Sequence, residues 1–149
     1  MGTFRVRIDI NRPATDVFAF VAEPRNMPRW YDAVERVAEV TPATPTRAAR
    51  YRITRSLPGG RANNIVEVTE SRPNLTVTFE SREGPTPFRY RYAVEPDASG
   101  SRLSLDAEIS SAGLPGPLAH LDGVATRAFK QGMQHNLEGL KHLVESNAR

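Results

Sequence analysis

The sequence predicts an α+β fold: a seven-stranded antiparallel sheet curled around one long C-terminal helix, with two short helices after the first strand. Three observations carry this. Residues 4–10 alternate large apolar with charged side chains and run into a proline-opened helix. Six more strand-like segments follow on connections short enough to require antiparallel pairing. Residues 118–145 hold a helical apolar period throughout.

In Phe4-Arg5-Val6-Arg7-Ile8-Asp9-Ile10 the period of two marks a strand with one buried face. Pro13 fixes φ and lacks an N–H, which suits the first turn of a helix, and Asp16 complements that helix's positive end. Val17, Phe18, Phe20 and Val21 form its apolar side, and Pro24 stops it. A second short helix, Arg25 to Tyr31, carries the only tryptophan, Trp30, and is expected to break at Pro28. Strand two is read at Ala33 to Val40. Strand three runs from Ala48 to Leu57 and closes at the turn Pro58-Gly59-Gly60. Strand four is Arg61 to Ser71, strand five Leu75 to Ser81, strand six Phe88 to Glu95 and strand seven Ser101 to Ser110. A Gly/Pro linker, Ser111 to Pro117, then leads into a helix from Leu118 to Glu145. On that helix Leu118, Leu121, Ala125, Ala128, Phe129, Gly132, Met133, Asn136, Leu140 and Leu143 share one face.

At 149 residues the chain reads as one domain, 1–149, with 39% hydrophobic and 25% charged residues, the balance of a soluble globular protein. The absence of cysteine excludes disulfides and thiol chemistry. No apolar run is long enough to span a membrane, and no signal peptide is visible, so cytoplasmic is the default location. The net charge is +3, and Arg5/Arg7, Arg50/Arg52 and Arg89/Arg91 each flank one apolar residue on a strand. Those arginines form an outer face. Because acids such as Asp9, Glu67, Glu80, Glu95, Asp106 and Glu108 are interleaved with them, cross-strand ion pairing is favoured over a nucleic-acid stripe. An interaction module using that face stays as a weaker reading. No metal or cofactor pattern occurs: His120, His135 and His142 lie away from the apolar stripe. His135 and His142 stand about 10.5 Å apart along the helix.

Strand alternation points Phe4, Val6, Ile8, Tyr51, Ile53, Arg55, Val77 and Phe79 inward. Phe88, Tyr90, Tyr92, Val94, Leu103, Leu105 and Ile109 follow by the same rule, and strand four has no clean alternation. One helix about 10 Å across does not fill the concave side of seven strands, so a cavity is expected between helix and sheet. The polar members of the inward set are the informative ones. Arg55 faces the pocket in this register and would bind a carboxylate or polarise a keto oxygen; one bulged residue would turn it outward. Tyr51, Tyr90 and Tyr92 either aim hydroxyls at a ligand carbonyl or reach the sheet edge. Asn136 either meets a ligand or water or caps a backbone group. Trp30 either lines the wall or anchors its helix. Ile53, Phe79, Phe129 and Met133 would supply apolar wall, and Gly132 on the inward helix face would leave room. Residues 82–87 and 113–117 are candidate entrance loops.

Together Ile10-Asn11-Arg12-Pro13 leading to Asp16-Val17-Phe18-Ala19-Phe20-Val21, Glu23-Pro24-Arg25-Asn26-Met27-Pro28-Arg29-Trp30, Leu57-Pro58-Gly59-Gly60 and Glu67-Val68-Thr69-Glu70 resemble the START-like (SRPBCC) superfamily, in its polyketide cyclase/dehydrase-type branch. The resemblance covers the whole chain and implies the helix-grip fold and a small hydrophobic ligand, polyketide-like or lipid, held in the central cavity. It permits two functions. One is a binding protein; the other is a cyclase or dehydratase working by positioning and carbonyl polarisation, for which no nucleophile–base pair is named by the sequence. A homodimer is compatible with either.

Overall fold

The computed structural model describes residues 2–57, 59–110 and 122–146. Strand β1 (Gly2–Ile10) is followed by helix α1 (Ala14–Val21), a 3-10 turn (Pro24–Asn26) and helix α2 (Met27–Trp30). Strands β2 (Val34–Thr41), β3 (Arg50–Leu57), β4 (Gly60–Arg72), β5 (Thr76–Glu83), β6 (Phe88–Asp97) and β7 (Gly100–Ile109) come next, and helix α3 (Asp122–Ser146) is last. All seven strands form one antiparallel sheet in the order β1-β7-β6-β5-β4-β3-β2. The chain therefore crosses from one edge of the sheet to the other between β1 and β2, and α1, the 3-10 turn and α2 make that crossing. Register shifts in the β2–β3 and β4–β5 ladders mark bulges, which bend a sheet and sharpen its twist. This is a helix-grip architecture, as predicted.

Pro13 stands at the N-cap of α1, one residue before the position expected, at φ −58°. Pro28 does not break its helix. It occupies the first turn of α2, where its missing N–H would have had no partner, and the 24–30 segment divides instead into a 3-10 turn and one α-turn. Helix α3 is fastened to β1 at its C-terminal end. Lys141 Nζ donates to the Asp9 carbonyl at 2.7 Å, and the Asn11 N–H donates to Glu145 at 2.8 Å. The predicted entrance segment 113–117, together with Leu118, His120 and Leu121, lies outside the described residues.

Inward positions follow the alternation on β1, β3, β5, β6 and β7, with Ile8 and Phe88 only half-buried. On β4 the inward side chains are Asn64 and Val66. The α3 stripe is rotated from the predicted one: Met133, Asn136, Leu137, Leu140 and Val144 are buried, whereas Ala128 and Gly132 are exposed. Leu137 and Val144 complete a 133–137–140–144 row that one helix face presents to the sheet.

Among the described residues the expected enclosed hollow is not there. Trp30 meets Tyr92 edge-on at 6.1 Å, Phe79 meets Tyr92 at 6.1 Å, and Phe88 lies 4.6 Å from Tyr90 between ring centroids. These rings fill the space that one helix leaves open, and only about 10 Å³ remains enclosed, room for about one water molecule. Free volume lies instead at one end of the fold.

Candidate functional site

A solvent-open cleft of about 440 Å³ lies between the N-terminal half of α3, the Tyr31–Ala33 segment after α2, and the end of β3. Its apolar wall is Ala33, Leu57, Ala128, Phe129 and Met133, and its polar groups are Tyr31, Asp32, Arg55, Gln131, His135 and Asn136. Of the residues expected to contact ligand, Arg55, Phe129, Gly132, Met133 and Asn136 border this cleft. Ile53, Phe79, Tyr90 and Tyr92 line the small enclosed void instead. Trp30 and Tyr51 border neither: Trp30 is packed against Tyr31 and Tyr92, so it anchors α2 to the core. Tyr31 and Arg55 border both spaces and form the partition between them.

Arg55 faces inward in the predicted register and is 2% exposed. In the β3–β4 ladder it opposes Ala62, so Asn64, two residues on, is its diagonal neighbour on the same face. Its Nε and Nη2 donate to Asn64 Oδ1 at 3.1 and 2.9 Å. Nη2 also donates to the Pro85 carbonyl at 2.9 Å and to Thr86 Oγ1. Asn64 Nδ2 in turn donates to the Pro85 carbonyl at 2.8 Å and to Ser81 Oγ at 3.0 Å. The Phe88 ring lies 5.3 Å from the guanidinium carbon, a cation–π contact. Residues 82–87, expected at the entrance, do not border the cleft; residues 85 and 86 back Arg55 from behind.

The 84–87 loop takes an unusual backbone path to do so. Thr86, fully buried, has φ +46°, a left-handed conformation that a β-branched residue adopts only under strain. Gly84 has φ +110°, and a Cβ there would overlap the Asn63 carbonyl oxygen and crowd the Asn64 side chain.

On the facing wall, Asn136 Oδ1 accepts the Asp32 N–H at 3.0 Å and its Nδ2 donates to Met133 Sδ at 3.4 Å. It therefore caps a backbone group, one of its two expected roles. The adjacent His135 Nε2 pairs with Asp32 Oδ2 at 3.1 Å on the cleft rim, with both side chains more than 70% exposed. Sequence reasoning sent His135 toward solvent and missed this pair, because nothing in the chain signals that α2 brings Asp32 beside α3. Burial pushes the phenols of Tyr90 and Tyr92 well above the usual range, with neighbouring Tyr31 adding to it. The Tyr90 hydroxyl makes no well-formed hydrogen bond, and Trp30 Nε1 is likewise unpartnered among the described residues. No group of three or more His, Asp or Glu suited to a metal ion occurs among the described residues, and none of their helices is long and apolar enough to cross a membrane.

On the outer face, Arg5 pairs with Asp106 at 2.5 Å, Arg102 with Asp9 at 2.9 Å, and Arg91 with Glu70 at 3.1 Å. Arg50 and Arg82 share Glu67 at 2.9 and 3.0 Å. Of the six outer arginines expected to pair across strands, Arg5, Arg50, Arg89 and Arg91 do so, whereas Arg7 and Arg52 are in none of the ion pairs among the described residues.

These features define a helix-grip protein with an end cleft, and comparison places it among proteins of that kind. Residues 1–145 match the family described as polyketide cyclase / dehydrase and lipid transport, and the chain belongs to that family. Among solved structures, TTHA0849 from Thermus thermophilus is similar at TM-score 0.83 and 18% identity, over 99% of this chain and 100% of that one. A START superfamily protein from Mycobacterium smegmatis aligns at TM-score 0.75 and 16% identity, over 97% of both chains. The di-domain ARO/CYC protein BexL of the BE-7585A biosynthetic pathway aligns at TM-score 0.74 and 25% identity, over 97% of this chain but only 47% of that one. Comparison with curated proteins yields no match.

Proposed function

We propose that the chain binds a lipophilic small molecule in the end cleft, with its apolar body along Ala33, Leu57, Phe129 and Met133 and its polar end toward Arg55. The observation that carries this reading is the combination in one cleft of an apolar wall with a single buried guanidinium. Pockets built this way bury most of a small ligand and orient it by a few polar groups. Membership in a family that includes lipid transport is consistent with it.

The test uses Gly132, whose added Cβ would meet nothing within 4 Å. A phenyl group at that position would occupy the cleft without disturbing the core. Gly132→Phe is expected to abolish uptake of Nile red, read by its fluorescence, while leaving the thermal midpoint within a few degrees of the parent. Unchanged dye uptake would remove the cleft as the binding site.

The His135–Asp32 pair favours a second reading, a cyclase- or dehydratase-type enzyme. A histidine oriented by a carboxylate is the usual form of a general base. Here it would take a proton from the methylene between two ligand carbonyls while Arg55 stabilises the resulting enolate oxygen. Solvent deuterium exchange into that methylene of a bound β-diketone, followed by NMR, tests the step. His135→Gln should slow the exchange by about 100-fold or more, and equal exchange in parent and variant would sink the enzyme reading.

A further inference from the structure

We infer that the ligand is an organic anion and that its charged group docks on Arg55; this deepens the ligand-binding reading and rests on it. A guanidinium stays charged at any ordinary pH, and a buried cation without a counter-charge is destabilising by several kcal/mol. Arg55 is such a cation. Its three acceptors, the Asn64 amide, the Pro85 carbonyl and the Thr86 hydroxyl, are all neutral. None of the ion pairs among the described residues includes it. The Phe88 ring eases the charge but does not cancel it.

The arrangement is directional. The neutral acceptors take Nε and Nη2, whereas Nη1 makes no hydrogen bond within the described residues. Nor is Nη1 sealed in the interior: the buried unpartnered side-chain atoms there are Trp30 Nε1, Thr76 Oγ1 and Tyr90 Oη. The remaining donors of a residue that borders the cleft are thus available to a ligand. The strained Thr86 and the Gly84 turn hold the back of the guanidinium in place, which pre-organises its free edge. The acid on the rim, Asp32, has its carboxylate paired with His135, and its backbone N–H is held by Asn136. One fixed cation at the end of an apolar wall selects an oxyanion carried on an apolar body, either a carboxylate or the enolate of a β-dicarbonyl.

A charge series on one tail tests this with the unmodified protein. Decanoate, 1-decanol and decylammonium are titrated against Nile red displacement at neutral pH. Decanoate is expected to bind about 10- to 100-fold more tightly than decanol, and decylammonium more weakly than either. Arg55→Gln, which keeps a donor toward Asn64, should remove that preference, bringing decanoate and decanol to within about threefold of one another. Equal affinity for decanoate and decanol, or tighter binding of decylammonium, would overturn the inference. So would dye uptake that no decyl compound displaces, a result that leaves the ligand-binding reading standing. Failure of the dye itself to bind would end both. Decane-2,4-dione then separates the two anion sources: an enolate absorbance on binding, lost in Arg55→Gln, assigns the enolate, and decanoate binding without that signature assigns the carboxylate.

Discussion

Arg55 is held inside the fold by one side chain above all others. Asn64 Oδ1 accepts from two of its nitrogens, so replacing Asn64 removes two charge-assisted hydrogen bonds at once. Asn64→Leu is expected to lower stability by about 3 kcal/mol, read as a shift in the urea midpoint. The double variant Arg55→Met/Asn64→Leu should recover most of that loss, because it removes the stranded charge together with its acceptor. If the double variant is no more stable than Asn64→Leu, the network is not what the charge depends on. Arg55 was readable from strand alternation, but its partners were not. The Asn63-Asn64 doublet in mid-strand was the available signal, since asparagine is disfavoured in strands and one of the two must face the apolar side. Thr86 carried no such signal, because its conformation is imposed by what it touches.

At the scale of elements, α3 shows how a pattern can name a helix and still misplace its seam. The helical period was evident, yet the predicted stripe included Ala125, Ala128 and Gly132, which do not pack against the sheet. Apolar residues in the first half of α3 border the cleft, and those of the second half, Leu137, Leu140 and Val144, make the core. A hydrophobic pattern records aversion to water and does not distinguish a wall facing a ligand space from a packed interface. Leu137→Ala is therefore expected to cost about 2–5 kcal/mol in denaturant unfolding. Val124→Lys, at a side chain 67% exposed, should change stability by no more than about 0.5 kcal/mol. A comparable loss at both positions would mean that the helix is seated differently.

Across the whole molecule, stability should fall at both ends of the pH scale for separate reasons. Hydrogen bonds from Arg82 and then Arg50 hold Glu67 below the ordinary carboxylate range; Thr78 and then Arg91 do the same for Glu70, and Lys141 for Glu145. The native state thus prefers these groups ionised. Their contribution is complete above the unfolded value of about 4.3 and is lost as pH falls through the lower native values. At the alkaline end the sign reverses. Tyr90 and Tyr92 are neutral in the fold and raised by burial, so their contribution is complete below the unfolded value near 10 and declines as pH rises beyond it. Absorbance at the phenolate band, followed together with circular dichroism, should show these two phenols ionising only as the fold is lost. Their ionisation in an intact fold would contradict the closed aromatic core.

By itself the sequence determined the strands, the crossing helices, the long terminal helix and the inward aim of Arg55, because local periodicity and backbone chemistry decide those features. Where the empty space lies was settled only in three dimensions. The aromatic rings of α2, β5 and β6 come from distant stretches of chain, and their joint volume closes the middle of the fold and leaves the cleft at its end. The same holds for the His135–Asp32 pair, which forms where α3 packs beside the segment after α2, and for the neutral cradle of Arg55, whose members come from β3, β4 and the loop after β5.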